Sequence, residues 1–85
     1  MGSYKILIKP SAVNEIEAIP QRDRQRIVAR IQGLSTNPRP PGCEKLSGQE
    51  RYRVRQGEYR IVYSINDGES SVLIVKVGHR KEIYR

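Results

Sequence analysis

With 85 residues, the chain is long enough for one small domain, expected to span residues 1–85. Sixteen Lys and Arg residues against nine Asp and Glu residues give a formal net charge of +7, which favours nucleic acid or an acidic protein as the partner. The single cysteine, Cys43, excludes an intramolecular disulfide and indicates a reducing cytoplasm, and no apolar run approaches the ~20 residues of a membrane-spanning helix.

The first half of the chain predicts one strand followed by two helices. The segment YKILIK, residues 4–9, is typical of a strand that ends at Pro10, and Ser11 is placed to cap the next helix. A break at Pro20 separates this helix from the second one. Helical spacing predicts an apolar face built from Ala12, Val13, Ile16, Ile19, Ile27, Val28, Ile31 and Leu34. It also predicts a solvated face that carries Arg22, Arg24, Arg26 and Arg30.

The second half predicts strands and turns. Prolines and glycines make residues 35–50 an ordered surface loop, with a short strand at CEKL. The segments RYRVR (51–55), YRIVYSI (59–65) and SVLIVKV (71–77) predict an antiparallel meander, the last being a central strand. The expected fold class is therefore α+β: an N-terminal strand, a two-helix hairpin and a three-stranded meander, forming one sheet with the helices on one face.

Alternation along these strands predicts a basic surface. Successive side chains of a strand point to opposite faces, so Tyr52 and Val54 face the helices while Arg53 and Arg55 face away. The next strand places Arg60 on the same uncovered face. The last strand ends at Val77 and Gly78 and delivers the terminal segment HRKEIYR to the rim of that face. The simplest interpretation is a solvated sheet face, and the functional one is a phosphate site.

The chemistry open to such a site is limited by the available side chains. The scattered acids and the single His79 give no metal-ligand set and imply no cofactor. RNA carries its own nucleophile, the 2′-hydroxyl, so an enzyme needs only to orient it, stabilise negative charge and move protons. Arginine can stabilise charge but is a poor base. Either His79 or Tyr84 transfers the proton, or the reaction runs with only weak acid–base help.

Three segments, NPRPPGCEKLSG, YRVRQGEYRIVY and VGHRKEIYR, together resemble the RelE branch of the RelE/ParE superfamily, toxins of bacterial toxin–antitoxin pairs. The resemblance implies a fold similar to microbial ribonucleases and ribosome-dependent cleavage of messenger RNA that leaves a 2′,3′-cyclic phosphate. It also implies a cognate antitoxin, expected to carry an acidic segment, and a complex that binds operator DNA.

The resemblance assigns roles to residues at the matching positions. Arg60 and Arg80 hold the scissile phosphate, and Arg53 and Arg55 bind the RNA backbone, one of them near the 2′-oxygen. Tyr84 stacks on a base. Further substrate contacts are expected from Arg51, His79 and Lys81.

Two departures from the family pattern keep other functions open. Arginines stand at positions 53 and 55, where the family has lysines, and this puts a general-base role there in doubt. The chain also stops where other members add a C-terminal helix. The alternatives are a ParE-like inhibitor of DNA gyrase and a basic RNA-binding module without catalysis.

Overall fold

A computed structural model describes residues 3–46, 48 and 50–79 and confirms the predicted order of elements. One strand, two helices and then the remaining strands follow along the chain as expected, and the short strand at CEKL is present. The elements are β1 (Lys5–Ile8), α1 (Pro10–Glu17), α2 (Gln21–Thr36), β2 (Glu44–Lys45), β3 (Arg51–Gln56), β4 (Tyr59–Asn66) and β5 (Ser71–His79).

The strands form one sheet in the order β1-β5-β4-β3-β2. Strands β2 to β5 pair antiparallel with their neighbours, whereas β1 lies parallel to β5, from Lys5 opposite Ser71 to Ile8 opposite Ile74. The long connection that a parallel pair requires runs through both helices and then through β2, β3 and β4. The predicted α+β class is thus confirmed.

The hydrophobic core lies between the helices and one face of the sheet. Val54, Ile61 and Val77 stand opposite one another in the register of β3, β4 and β5, and all three are buried. The ring of Tyr63 stacks on Tyr52, with centroids 5.9 Å apart. The helices contribute Ala12, Ile16, Ile27, Ile31 and Leu34 to the same core, and Ile19 joins it from the connection between them. Tyr52 and Tyr59 pack against this core.

Some local predictions were wrong. Helix α1 begins at Pro10, so Ser11 lies inside the helix and does not cap it. Proline is favoured at the first helical position because its fixed φ suits the helix. The N–H group that it lacks would have no hydrogen-bond acceptor within the helix at that position. Val13 and Val28 are each 37% exposed. The face of each helix that packs on the sheet is therefore narrower than the apolar periodicity predicts.

Strand β5 also runs further than predicted. Gly78 pairs with Arg60, and His79 pairs with Tyr59, so the chain stays extended where a bend was expected. A bulge between Val62 and Tyr63 shifts the pairing with β5. The described part of the chain contains no helix long and apolar enough to cross a bilayer.

The proline-rich loop between α2 and β2 is held by side chains from other elements. The buried hydroxyl of Tyr63 donates to the carbonyl oxygen of Pro38 at 2.7 Å. Arg39 forms an ion pair with Asp67 at 3.0 Å, and Tyr4 donates to the same carboxylate at 2.8 Å. The loop therefore enters β2 from a fixed position.

Replacing Tyr63 with Phe is expected to lower the free energy of unfolding by about 1–3 kcal/mol, because the buried Pro38 carbonyl then loses its donor. Urea denaturation measures this change. Tyr59→Phe is the matched control, since the phenylalanine ring keeps the edge-on packing against His79. Equal losses in the two variants would show that the buried hydrogen bond contributes nothing specific.

Candidate functional site: an arginine cavity

One cavity of about 390 Å³ gathers residues from the sheet, a helix and the proline-rich loop. We call it the arginine cavity. Its volume falls in the range of about 300–1,000 Å³ that is common for ligand sites. It is lined by Arg30 of α2, Gly42 and Glu44 from the loop and β2, Arg53 and Arg55 of β3, and Arg60 of β4.

Strand pairing explains why three of these arginines meet. Arg55 lies directly opposite Arg60, and Arg53 lies two residues before Arg55 on the same face of β3. The intervening Val54 points into the core. The predicted sharing of one sheet face by Arg53, Arg55 and Arg60 therefore agrees with the observed register.

Arg60 is the most deeply placed cation of the cavity. Only 6% of its surface is exposed, and arginine is rarely buried to this extent. Facing Arg55 across adjacent strands costs roughly 0.2–1 kcal/mol in repulsion. An anion bound between the two guanidinium groups would remove this repulsion.

Glu44 supplies the carboxylate of the cavity and was not among the predicted site residues. It pairs with Arg53 across β2 and β3, and its Oε1 accepts a hydrogen bond from Arg53 Nη2 at 2.5 Å. This bond, with the positive charges of Arg60 and Arg55, lowers the pKa of Glu44. The carboxylate is therefore ionised at neutral pH. The signal in the sequence was its position on a short strand beside the arginine-bearing one.

Gly42 brings the loop to the cavity wall. Its φ of 90° lies in the left-handed region that other residues rarely adopt. A Cβ atom at this position would meet no atom within 4 Å, so the requirement for glycine comes from backbone conformation.

Arg30 was predicted to lie on a solvated helix face, and this was wrong. It is half-buried and lines the cavity, while Arg22 and Arg26 on the same helix are exposed. Arg30 lies three residues after Ile27 and four before Leu34, which are both core residues. That spacing places it at the edge of the buried stripe and is the signal that could have identified it.

Two predicted contact residues lie outside the arginine cavity. Arg51 is exposed and pairs with Ser64 at the far end of β3. His79 packs edge-on against Tyr59, with ring centroids 5.7 Å apart, and lines a separate cavity of about 280 Å³ beside α1. Alternation explains this separation, because His79 follows Gly78, which is the residue opposite Arg60.

The remaining predicted site residues, Arg80, Lys81 and Tyr84, lie outside the described residues. Within the described part of the chain, no cluster of three His, Cys, Asp or Glu side chains could hold a metal ion. What the cavity offers chemically is a set of guanidinium donors and one ionised carboxylate.

Comparison with known sequences identifies a family. The model of the family described as the ParE toxin of type II toxin–antitoxin systems matches residues 6–84. The toxin RelE of Mycobacterium tuberculosis is 30% identical over 84 residues, which cover 96% of this chain and 87% of that protein. The toxin RelG of the same organism is 31% identical over 86 residues, which cover 96% and 97%.

Solved structures give the same result for the fold. The chain superimposes on the toxin–antitoxin complex RelBE2 of Mycobacterium tuberculosis with a TM-score of 0.82 and 26% identity, over 92% of this chain and 99% of the other. The archaeal RelE–RelB complex from Pyrococcus horikoshii gives a TM-score of 0.83 and 27% identity, over 92% and 96%.

Proposed function

Because the chain belongs to the RelE branch of the RelE/ParE superfamily, the toxins of type II toxin–antitoxin systems, we propose that it is an endoribonuclease that cuts messenger RNA. The observation that supports this most is the arginine cavity, which is lined by four arginines and one glutamate. This arrangement suits a substrate that brings negative charge and its own nucleophile.

The proposed reaction is a phosphoryl transfer within the RNA. The 2′-oxygen attacks the adjacent phosphorus, a bond from phosphorus to the 2′-oxygen forms, and the bond to the 5′-oxygen breaks. The products are a 2′,3′-cyclic phosphate and a 5′-oxyanion, which takes a proton from water to become a 5′-hydroxyl end. Arg60 and Arg55 would bind the non-bridging oxygens and stabilise the charge that accumulates on them. Neither bond change requires a metal ion.

Glu44 is the residue that we propose as general base. Arginine keeps its proton at neutral pH, so the guanidinium groups cannot serve. The carboxylate of Glu44 is ionised and lies in the same cavity. It would accept the proton of the 2′-hydroxyl as the attack begins. Its lowered pKa makes it a weak base in the free protein.

Arg53 would couple RNA binding to this proton transfer. In the free protein its Nη2 donates to Glu44 at 2.5 Å. A backbone phosphate entering the cavity would compete for the same guanidinium donors, and each bond that it takes from Glu44 would raise the basicity of the carboxylate. For Arg80 and Tyr84, we retain the predicted roles of phosphate binding and base stacking.

The ribosome, an antitoxin and operator DNA are the proposed partners. The net charge of +7 favours ribosomal RNA and an antitoxin with an acidic segment. The two solved relatives described above are toxins in complex with RelB-type antitoxins. Action on translating ribosomes would take place in the cytoplasm. Binding of the toxin–antitoxin complex to operator DNA stays a proposal from the resemblance.

Gyrase inhibition is the second candidate function, because the matching family model describes a ParE toxin. A translation extract with a defined message separates the two functions. Primer extension is expected to show breaks at fixed codon positions in that message, and supercoiling of a plasmid by gyrase should continue. Intact message together with arrested supercoiling would replace the ribonuclease proposal with the gyrase one.

A further inference from the structure

Arg30 has no role in the reaction proposed above, although it lines the same cavity. It approaches from α2, whereas the other three arginines come from β3 and β4. Its Nε is buried and makes no hydrogen bond to the residues that the structure describes. A buried guanidinium nitrogen without a partner is costly, and natural proteins rarely keep one without a ligand or water to satisfy it.

The charge of the cavity exceeds what one phosphodiester can balance. Four guanidinium groups and one carboxylate leave a net charge of +3 among the lining residues. The scissile phosphodiester carries one negative charge. Arg53 is bonded to Glu44 in the free protein, and Arg55 and Arg60 face each other on neighbouring strands, where the scissile phosphate would lie. One phosphodiester at that position leaves a net positive charge among the lining residues, and Arg30 can direct it to a second anionic group.

The size of the cavity allows a second group. At about 30 Å³ per water molecule, a cavity of 390 Å³ has room for roughly a dozen waters. A single phosphate group fills only part of that space. In a nucleic acid strand, the next anion is always the neighbouring phosphodiester, one nucleotide away.

We infer that Arg30 binds the phosphodiester next to the scissile one, so that the arginine cavity holds two consecutive phosphates of a single-stranded RNA. This inference rests on the proposed function and extends it to a residue on the helix. Arg30 acts in substrate binding and takes no part in the bond changes. It is the contact that places the scissile phosphate between Arg55 and Arg60.

The experiment measures how salt weakens RNA binding. A short single-stranded RNA with a 2′-deoxy nucleotide in place of the attacking ribose is titrated by fluorescence at several salt concentrations. Each phosphate contact in a single strand contributes about 0.7 to the slope of log K against log salt. We expect Arg30→Gln to reduce that slope by about 0.7 and to weaken binding about tenfold at low salt. Arg30→Lys should keep the wild-type slope.

Arg26→Gln is the matched control. It removes the same charge one turn earlier on α2, from an exposed side chain that does not line the cavity, and should leave the slope unchanged. Equal slopes for wild type and Arg30→Gln would overturn the inference. Equal losses of slope in the variants at positions 26 and 30 would overturn it too, and so would a wild-type protein that does not bind the RNA. Unfolding midpoints of the variants show whether each one is folded.

Cleavage in a translation extract separates this inference from the proposed function. Arg30→Gln is expected to raise KM more than it lowers kcat. A wild-type protein that binds RNA through Arg30 but cuts no message would contradict the ribonuclease proposal. The inference that Arg30 binds a second phosphate would still hold. A protein that cuts normally with glutamine at position 30 would contradict only the inference.

Discussion

Arg60→Gln is expected to lower the rate of messenger RNA cleavage by about 10²- to 10³-fold, the usual cost of removing one donor that stabilises transition-state charge. Arg60 is the deepest cation of the arginine cavity, and the low accessibility of its surroundings strengthens its interaction with a phosphate. Glutamine keeps a long polar side chain at this position and removes the like charge that faces Arg55 on the neighbouring strand. Primer extension in a translation extract gives the rate, and circular dichroism checks the fold.

Two further variants show whether location in the cavity decides the effect. Arg60→Lys keeps the charge but loses the planar pair of donors, so we expect an intermediate rate. Arg51→Gln removes an exposed arginine from the same face of the sheet, outside the cavity, and should cut at close to the wild-type rate. If Arg51→Gln lost as much activity as Arg60→Gln, the general charge of the sheet face would explain catalysis and the cavity would not.

The arginines on the sheet were predictable because strands have a simple period. Once RYRVR and YRIVYSI are identified as paired strands, burial of Val54 and Ile61 fixes the face on which Arg53, Arg55 and Arg60 lie. Those two strands are joined by a short turn, so the pairing is local in sequence. Periodicity and one short connection were sufficient for this part of the site.

The rest of the site depends on long-range packing that no local pattern specifies. Arg30 reaches the cavity because of the way α2 lies across the sheet, and a small rotation of that helix would have left it in solvent. Glu44 enters through a loop whose path is set by Gly42 and by the Tyr63 bond to Pro38. His79 was misjudged because β5 stays extended past Gly78, which moves the ring to the opposite face.

Glu44→Gln is expected to lower kcat by about 10²- to 10⁴-fold, the usual contribution of a general base, while KM stays constant or falls. The two effects have different causes. Glutamine cannot accept the proton of the 2′-hydroxyl, so the chemical step slows. It also removes the negative charge that holds Arg53, so the cavity should bind RNA more tightly. Single-turnover cleavage and binding of the 2′-deoxy RNA measure the two quantities separately.

The pH dependence of kcat/KM, which reports the free protein, identifies the base independently. Hydrogen bonding to Arg53 lowers the pKa of Glu44, so its carboxylate stays ionised down to acidic pH. A base is active when deprotonated, and activity is lost as the pH falls through its pKa. We therefore expect kcat/KM to stay level from neutral pH down to the ordinary titration range of a glutamate side chain and to decline only below it. A decline at higher pH would show that Glu44 is not the base.

Opposite outcomes would assign Glu44 a different role. If Glu44→Gln cut RNA faster than wild type, the carboxylate would act only as a competitor that occupies Arg53 until a phosphate displaces it. Glu44→Asp tests the geometry, because it keeps the charge but moves the carboxylate back by one methylene from the Arg53 guanidinium. A general base should lose much of its rate in this variant, since proton transfer requires hydrogen-bond distance. A simple competitor should show only a modest change in KM.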